Sequence, residues 1–265
     1  MSSYINEISI YGLMNKTSYI DESSPFLSFY KTKDKSKIAV CRCPLPEFSE
    51  KQYKQINYMY LDEDPNVKGT YSKNNVLSYI DTGYFTGMKG NKYRSIRHPV
   101  NINKDRIKAV PLSLENCNDV IDCIERWRYN EGYHYRWQEH AGIDKALVNR
   151  YANGQLKDII GYTFYYDNIC VGYATISTKE YIEKNYETGT QIPEFHYITR
   201  KVSNQLGLKH LTEYIDWFMF SKIYELCKSD FIINWGCSDG GVYWYKTHKW
   251  PIYKLEPKWF VTIKQ

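Results

Sequence analysis

The feature that most constrains the fold is the order of apolar patterns in the second half of the chain. Patterns with helical spacing alternate there with short runs of alternating or continuous apolar residues, which are typical of strands. From Ser113 onward the order is helix, helix, strand, strand, strand, helix, strand, helix and strand. These elements must bury their apolar faces against each other. The order therefore predicts an α/β (α+β) fold with a mixed, mostly antiparallel sheet and helices on both faces.

Several segments carry this prediction. Residues 113–132 begin with Ser113, a possible N-cap, and Asp167-Asn168 is a dipeptide that favours a turn between two strands. Four apolar residues of the first segment share one helical face: Val120, Ile121, Ile124 and Trp127. The other predicted helices are 142–154, 208–229 and a short one within 240–251. The predicted strands are 158–166, 169–177, 193–202, 230–237 and 258–265.

The first half gives a mixed pattern. Residues 26–31 and 36–43 are rich in β-forming residues around a charged turn, which predicts a hairpin. Residues 49–61 have a helical pattern, and residues 74–82 are consistent with a short helix. A polar stretch with two prolines then follows, and "RIKAVPL" inside it has a strand pattern. We therefore expect an N-terminal half, 1–105, and a C-terminal half, 106–265.

Cysteine and charge patterns narrow the class of protein. The seven cysteines form no C-x-x-C motif and no histidine pair has zinc-site spacing, so we expect reduced thiols, no metal and a cytoplasmic location. No run reaches the length of about 18 apolar residues that indicates a membrane span, and we expect no signal peptide. The net charge of +5 suits an anionic ligand or nucleic acid, but it is also common among plain cytosolic enzymes.

The segment GGVYWYKTHKWP, residues 240–251, concentrates aromatic and basic residues directly after an apolar run. Its core, Tyr245 to Trp250, resembles the pattern Tyr-Glu-Lys-x-Gly-Phe near the end of the Gcn5-related N-acetyltransferase (GNAT) fold, with Lys249 in the place of Gly. The element order of the second half also resembles that superfamily. The resemblance implies an amine acceptor and a donor such as acetyl-CoA or another acyl-CoA. It also implies that the last helix packs its aromatic side chains against the sheet.

A second partial match follows the strand 193–202. In GNAT proteins a glycine-containing loop at this place holds the donor pyrophosphate on backbone amides, and here only Gly207 matches its pattern. Glycine lets the backbone approach a phosphate, and the following helix N-terminus adds partial positive charge. Lys209 would block the closest approach but could pair with an anion, and an ordinary strand-to-helix turn remains the alternative. The residues that would contact a phosphate are Asn204, Gly207, Leu208 and Lys209.

Residues 77–101 resemble a segment of the tandem-domain branch, of the phosphatidylglycerol lysyltransferase C-terminal type, late in the first of two GNAT-like halves. The positions that match its "GKKYxxxRNxVN"-like stretch are Gly90, Lys92, Tyr93, Arg97, Val100 and Asn101. The resemblance implies a tandem of a degenerate and a catalytic half. This branch and the Fem-type peptidyltransferases take amino acids from aminoacyl-tRNA, which is therefore the alternative donor. Phage Mom-like members are thought to modify DNA bases.

Acyl transfer to an amine needs a base that takes a proton from the amine and a hydrogen-bond donor that stabilises the oxyanion. It also needs an acid that protonates the leaving group. Glu194 and His196 alternate on the strand 193–202 and so share a face, where either could be the base; a cross-strand pair on a wet face is the alternative. Backbone amides near Ile198 could bind the donor carbonyl. The resemblance assigns protonation of the leaving group to Tyr245, which could instead be a core tyrosine.

The segment 126–140, RWRYNEGYHYRWQEH, alternates arginine with aromatic residues. Such residues stack on bases or sugars and contact phosphates, so the segment could bind an acceptor that includes nucleic acid. An amphipathic helix end with exposed arginines is the alternative. The candidates for substrate binding are Arg126, Arg128, Tyr133, Tyr135, Arg136 and Trp137.

Two functions remain open at this point. The first is an acyltransferase that moves an acyl or aminoacyl group from a thioester or ester donor to an amine on a nucleobase, a peptide or a polyamine. The second is a GNAT-like module without activity that binds nucleic acid or a protein partner. A serine hydrolase is disfavoured because the chain has no Gly-x-Ser-x-Gly motif, and the P-loop and dinucleotide motifs are also missing. The sequence does not indicate an oligomeric state.

Overall fold

The computed structural model describes residues 27–31, 37–41, 58–61, 70–130, 144–145, 147–156, 158–178, 180–184, 191–203, 206–237 and 240–262. The chain divides into two compact units. Unit 1 comprises residues 1–77, 236–245 and 254–265, and unit 2 comprises residues 78–235 and 246–253. This division differs from the boundary expected at residue 105, because residues 78–105 pack with unit 2. The assignment of residues 1–105 and 106–265 to two duplicated halves stays a prediction.

Unit 1 contains strands in the order β1-β2-β3-β11-β4. These are β1 (Leu27–Lys31), β2 (Lys37–Cys41), β3 (Tyr58–Leu61), most of β11 (Ile252–Thr262) and the first part of β4 (Thr70–Ile80). β1 and β2 pair antiparallel, which confirms the predicted hairpin. The helix predicted over residues 49–61 is wrong at its end, because β3 pairs with β2 and β11 and this pairing overrides local helical propensity.

The short helix predicted over residues 74–82 is also wrong, since strand β4 occupies most of this segment. Asn75, Val76, Leu77 and Ser78 are all buried. Four consecutive buried positions indicate a strand that is covered on both faces, whereas an amphipathic helix would expose some of them. The polar Asn75 and Ser78 concealed this pattern in the sequence.

Unit 2 contains the larger sheet. Its strand order is β4-β10-β9-β7-β6-β5, and β8 pairs with β9 off this path. The parallel pair is β9 with β10, whereas the pairs β5–β6, β6–β7, β7–β9 and β8–β9 are antiparallel, as the sequence predicted. The bounds of these strands are Lys108–Pro111 (β5), Ile159–Tyr166 (β6), Ile169–Ser177 (β7), Tyr181–Lys184 (β8), Gln191–Val202 (β9) and Phe231–Cys237 (β10).

The turn between β6 and β7 forms where the sequence placed it. Asp167 and Asn168 have φ angles of 48° and 63°. Two successive residues at positive φ match the right-handed twist of a hairpin, and aspartate and asparagine tolerate this conformation better than most residues. The predicted pair of strands joined at this dipeptide is confirmed.

The helices are α1 (Arg94–Asn103), α2 (Cys117–Asn130), α3 (residues 144–145 and 147–152), α4 (Leu211–Cys227) and α5 (Gly240–Lys249). The N-cap predicted at Ser113 is wrong. The carbonyl of Asn116 accepts the first helical bond of α2 from Val120, and the Asn116 side chain accepts a bond from the Ser113 N–H. No helix in these described ranges is long and apolar enough to cross a membrane.

Helices cover both faces of the unit 2 sheet, which confirms the predicted architecture. On one face, α2 and α3 pack around Tyr173 with residues such as Val120, Ile124 and Val148. On the other face, the ring of Phe218 on α4 lies 5.4 Å from that of Phe164 on β6. Both α2 and α4 contact β7 and β9, which places these two strands at the centre of the core.

Trp250, directly after α5, is 2% exposed. Its ring lies 4.7 Å from that of Phe220 on α4 and 5.4 Å from that of Tyr84. Trp244, in contrast, is 54% exposed. The dense aromatic segment therefore does not bury all of its large rings.

Gly172 on β7 is required by the close approach of α4. A Cβ atom there would lie 2.9 Å from Ile215 Cδ1 and 3.0 Å from the backbone oxygen of Lys201. We expect Gly172→Ala to destabilise the fold by about 1–3 kcal/mol, because a backbone atom cannot move aside cheaply. Denaturant unfolding would measure this. The control is Gly241→Ala, where no atom lies within 4 Å of the added Cβ. Equal stability of the two variants would contradict this account.

Candidate active site

Strands β9 and β10 pair over a short part of their length. The register runs from Ile232 opposite Glu194 to Asn234 opposite His196. β9 continues to Val202, but in the described part of the chain no β10 residue pairs with it beyond His196. The two parallel strands therefore part toward their C-terminal ends. Beyond His196, the N–H and C=O groups of β9 that would face β10 need other hydrogen-bond partners. A ligand between the strands can provide them.

A β-bulge lies on β9 just beyond this point. Ile176 of β7 faces Tyr197, and Thr175 faces Thr199, so Ile198 is the extra residue. None of the three described ladders of β9 places a residue opposite Ile198. The sequence singled out amides near Ile198 for binding the donor carbonyl. The bulge lies next to the point where β9 and β10 part, and the binding of the donor carbonyl by an amide there stays a prediction.

The bulge also changes which side chains share a face of β9. Tyr197 and Arg200 lie three positions apart, yet both bond to the carboxylate of Asp216 on α4. Thr199, between them, donates instead to Asp144 on α3, with an oxygen–oxygen distance of 2.9 Å. Strict alternation would have placed Tyr197 and Thr199 on the same face.

Glu194 and His196 lie together at the place where the strands part. Nε2 of His196 is 3.1 Å from Oε1 of Glu194, and Nδ2 of Asn234 donates to the same oxygen over 2.8 Å. Glu194, His196 and Asn234 are 2%, 5% and 2% exposed. The alternative of a pair on a wet face is therefore wrong, because the pair is buried on the sheet face opposite α4.

This arrangement can accept a proton. A carboxylate that receives the Nε2–H of a histidine fixes the tautomer and orientation of the ring, and it stabilises the charge that appears when the ring is protonated. Asn234 holds the carboxylate of Glu194 in place from β10. Buried polar groups of this kind are retained in a fold when they are hydrogen-bonded, and all three residues meet that condition here.

Three residues on the α4 side of the gap escaped the sequence reasoning. Asp216 is fully buried and accepts bonds from the Tyr197 hydroxyl, over 2.8 Å, and from the Arg200 guanidinium. The Tyr197 ring also stacks on Trp235 of β10, with centroids 5.0 Å apart. An aspartate within the apolar run of α4, with an arginine on the preceding strand, was the available signal for this cluster.

A lysine from α5 reaches the end of the β9–β10 ladder. Lys246 is buried, and its Nζ donates over 2.8 Å to the carbonyl of Trp235, the first β10 residue beyond the ladder. The long side chain thus satisfies a backbone group exposed by the parting of the strands. This role could not be predicted from the sequence, because lysine is usually a surface residue.

The described part of the loop before α4 contains one glycine in the left-handed region, which fits both a phosphate-binding loop and an ordinary strand-to-helix turn. Gly207 has φ of 60°, and no atom lies within 4 Å of the position that a Cβ would occupy. Lys209 is exposed, whereas Leu208 is 7% exposed and packs inward. Nδ2 of the buried Asn103 donates to the Lys209 carbonyl over 3.1 Å and anchors the loop to α1. Asn204 lies outside the described residues.

The remaining candidates are placed as follows. Tyr245 lies on α5, in the part of that helix that belongs to unit 1, and is half-buried. Arg126 donates over 2.7 Å to the Cys170 carbonyl, and Arg128 forms an ion pair with Glu125 at 2.6 Å, so both have structural partners. Tyr133, Tyr135, Arg136 and Trp137 lie outside the described residues. Among the residues that the model describes, no His, Cys, Asp and Glu cluster could hold a metal ion.

Comparisons with known proteins find similarity in structure only. No protein-family model matches the sequence, and no curated protein matches it. A conserved protein of unknown function from Bacteroides thetaiotaomicron superposes with a TM-score of 0.61 at 12% identity, covering 97% of this chain and 90% of that one. The C-terminal domain of a putative lysylphosphatidylglycerol synthetase from Agrobacterium fabrum gives 0.53 at 12% identity, covering 97% and 88%.

A third structure decides the fold. A tandem GNAT protein from the clavulanic acid biosynthesis pathway superposes with a TM-score of 0.50 at 7% identity, covering 100% of this chain and 90% of that one. The fold is GNAT-like. The resemblance found in the sequence is therefore confirmed for the fold, and the similarity extends over almost the whole chain. At these identities the GNAT-like fold is what is shared, and fold alone does not fix function.

Proposed function

We propose that the protein is an N-acyltransferase that moves an acyl or aminoacyl group from a thioester or ester donor to an amine. The observation that carries the proposal is the parting of β9 and β10 directly beyond the buried Glu194–His196 pair. A gap lined by main-chain groups and a proton acceptor combines two requirements of acyl transfer in one place. The GNAT-like fold supports this function because the structures similar to this chain include a domain of a putative lysylphosphatidylglycerol synthetase.

The proposed reaction is a direct attack of the amine nitrogen on the donor carbonyl. The Glu194–His196 pair takes a proton from the amine, and a backbone N–H at the Ile198 bulge stabilises the oxyanion. The new C–N bond replaces the C–S or C–O bond of the donor. Tyr245 protonates the leaving thiolate or alkoxide, since a phenol with an ordinary pKa near 10 is a proton donor at neutral pH.

Two donors fit the residues that are present. The open backbone at Gly207 and the exposed Lys209 can receive the pyrophosphate of an acyl-CoA, and they can equally receive a phosphate of an aminoacyl-tRNA. We propose an amine linked to a nucleic acid as the acceptor, because the segment 126–140 is rich in arginine and aromatic residues. A peptide amine and a polyamine are the other acceptors to be tested.

The test supplies the full chain with radiolabelled acetyl-CoA or lysyl-tRNA, and with an oligonucleotide, a peptide or spermidine as acceptor. Label on the acceptor amine from either donor is the expected result. Donor at 100 times its Kd should also stabilise the protein by about 2.7 kcal/mol in a melting experiment. If neither donor transfers label or raises the Tm while the oligonucleotide does raise it, the chain is a nucleic-acid-binding module and the transferase proposal is overturned.

Removing the Tyr245 hydroxyl gives a second test. We expect Tyr245→Phe to lower kcat about 10²–10⁴-fold, because the leaving group then departs without a proton. The free energy of unfolding should change by less than about 1 kcal/mol. The matched control is Tyr243→Phe on the same helix, which should keep kcat. Equal losses of kcat in both variants, or none in either, would remove Tyr245 from the mechanism.

A further inference from the structure

Two buried thiols face each other where α2 packs on the start of β7. Cys123 on α2 and Cys170 on β7 are 0% and 4% exposed. Their side chains share a hydrogen bond. The proposed acyl transfer uses neither thiol. Two thiols in contact can be oxidised together to a disulfide, whereas a single buried thiol cannot.

Neighbouring residues of α2 fix the helix against β7 at this point. Arg126 lies one turn after Cys123 on the same helical face, and its Nη2 donates over 2.7 Å to the carbonyl of Cys170. Asp119 lies one turn before Cys123 and accepts a bond over 2.6 Å from the hydroxyl of Tyr165. Tyr165 faces Cys170 in the β6–β7 ladder. Bonds on both sides of Cys123 therefore hold this turn of α2 against Cys170.

The surroundings make Cys123 the nucleophile of the pair. The hydrogen bond from Cys170 and the charge of Arg126 lower the pKa of the Cys123 thiol, although burial opposes this. The same hydrogen bond and burial raise the pKa of the Cys170 thiol. The thiolate is the reactive form of cysteine, so Cys123 reacts first with an oxidant. Cys170 then lies in place to react with the oxidised sulfur.

The pair lies close to a hairpin end at the surface. Asp167 and Asn168, which form the turn between β6 and β7, are exposed. Ile169, the residue directly before Cys170, is 46% exposed. The ends of hairpins open locally at a low free energy compared with the core. A small oxidant such as hydrogen peroxide can therefore reach the thiols without unfolding of the domain.

We propose that Cys123 and Cys170 form an oxidation site at which a hydroperoxide converts the two thiols into a disulfide. With hydrogen peroxide, the Cys123 thiolate attacks one oxygen, the O–O bond breaks, and the products are a sulfenic acid and, after protonation, water. The sulfur of Cys170 then attacks the sulfenic sulfur. The S–O bond breaks, and the hydroxyl leaves as a second water with the proton of the Cys170 thiol. Two thiols are oxidised to one disulfide, and the peroxide is reduced to water.

Treatment of the native full chain with hydrogen peroxide tests this site. The remaining thiols are then alkylated in denaturant, and the chain is cleaved before aspartate residues, which separates Cys123 from Cys117 at Asp122. Mass spectrometry should find a disulfide between the peptides of Cys123 and Cys170, and dithiothreitol should restore both thiols. Cys123 should be lost at least tenfold faster than Cys117, because the thiolate fraction changes about tenfold when the pKa changes by one.

Cys117 is the matched control because it is also buried on α2, but its thiol donates over 3.5 Å to Oδ1 of Asn149, and burial raises its pKa. Cys117→Ser should keep the cross-link, whereas Cys170→Ser should stop at a sulfenic acid on Cys123, which dimedone traps. The inference is overturned if the native parent chain yields no disulfide between Cys123 and Cys170, or if Cys117 reacts as fast as Cys123. Because the experiment needs no acyl donor, its failure would leave the proposed acyl transfer untouched.

Discussion

Glu194→Gln should lower the rate of acyl transfer about 10²–10⁴-fold, the usual contribution of a general base. The substitution keeps the shape of the side chain and keeps an oxygen that can accept the bond from Asn234. It removes the negative charge that would stabilise a protonated His196. Donor affinity should be unchanged, so the loss should appear in kcat while KM for the donor stays constant.

Glu225→Gln is the matched control for this experiment. Glu225 also pairs with a cation, Lys222 at 2.6 Å, but it is exposed on α4 and lies away from the gap. Its rate should equal that of the parent. His196→Ala should reproduce the loss seen with Glu194→Gln, and the double variant should be little worse than either, because the two residues act as a unit. If Glu194→Gln kept full activity, the proposal that the Glu194–His196 pair acts as the base would be contradicted, and the pair would have only a structural role.

Asp216→Ala should destabilise the fold by about 3–5 kcal/mol, because it leaves the partly buried guanidinium of Arg200 without the carboxylate that it contacts. The Tyr197 hydroxyl loses the same acceptor. Urea unfolding, followed by fluorescence and circular dichroism, would show a lower midpoint with an unchanged slope. Of the single substitutions considered, this one should have the largest effect on stability.

A surface carboxylate and a double variant serve as controls. Asp119 also accepts a bond from a tyrosine, over 2.6 Å from Tyr165, but it is exposed, so Asp119→Ala should cost less than about 1 kcal/mol. Adding Arg200→Leu to Asp216→Ala should restore part of the lost stability, since the charge that has lost the Asp216 carboxylate is then gone. Strictly additive losses in the double variant would show that Asp216 and Arg200 are not coupled.

The sequence predicted the elements whose patterns are local. Strands β6 and β7 and their turn were recognisable because Asp167 and Asn168 encode the turn conformation themselves. Helix α4 was recognisable because its apolar residues extend over many turns. The errors concern β3 and β4, whose strand state depends on pairing with segments far away in the chain. Such pairing leaves no signature in a window of ten residues.

The site was predictable in part for the same reason. The positions of Glu194 and His196 on one face followed from the alternation of a strand. Their burial and their bond to Asn234 did not, because Asn234 comes from a strand forty residues later in the chain. The sheet faces on which the side chains of Thr199 and Arg200 lie could not be predicted from alternation along the strand. The bulge at Ile198 lies between Glu194 and these two residues and reverses the alternation.

The extra residue on β9 has a consequence for comparing this chain with remote homologues. If an alignment gap near Ile198 were misplaced by one position, Arg200 would be aligned with the position that contacts Asp144, and Thr199 with the position that contacts Asp216. The guanidinium of Arg200 would then be assigned to the wrong face of the sheet. At identities near 12%, the irregularity itself is therefore a better anchor for superposition than the residues around it.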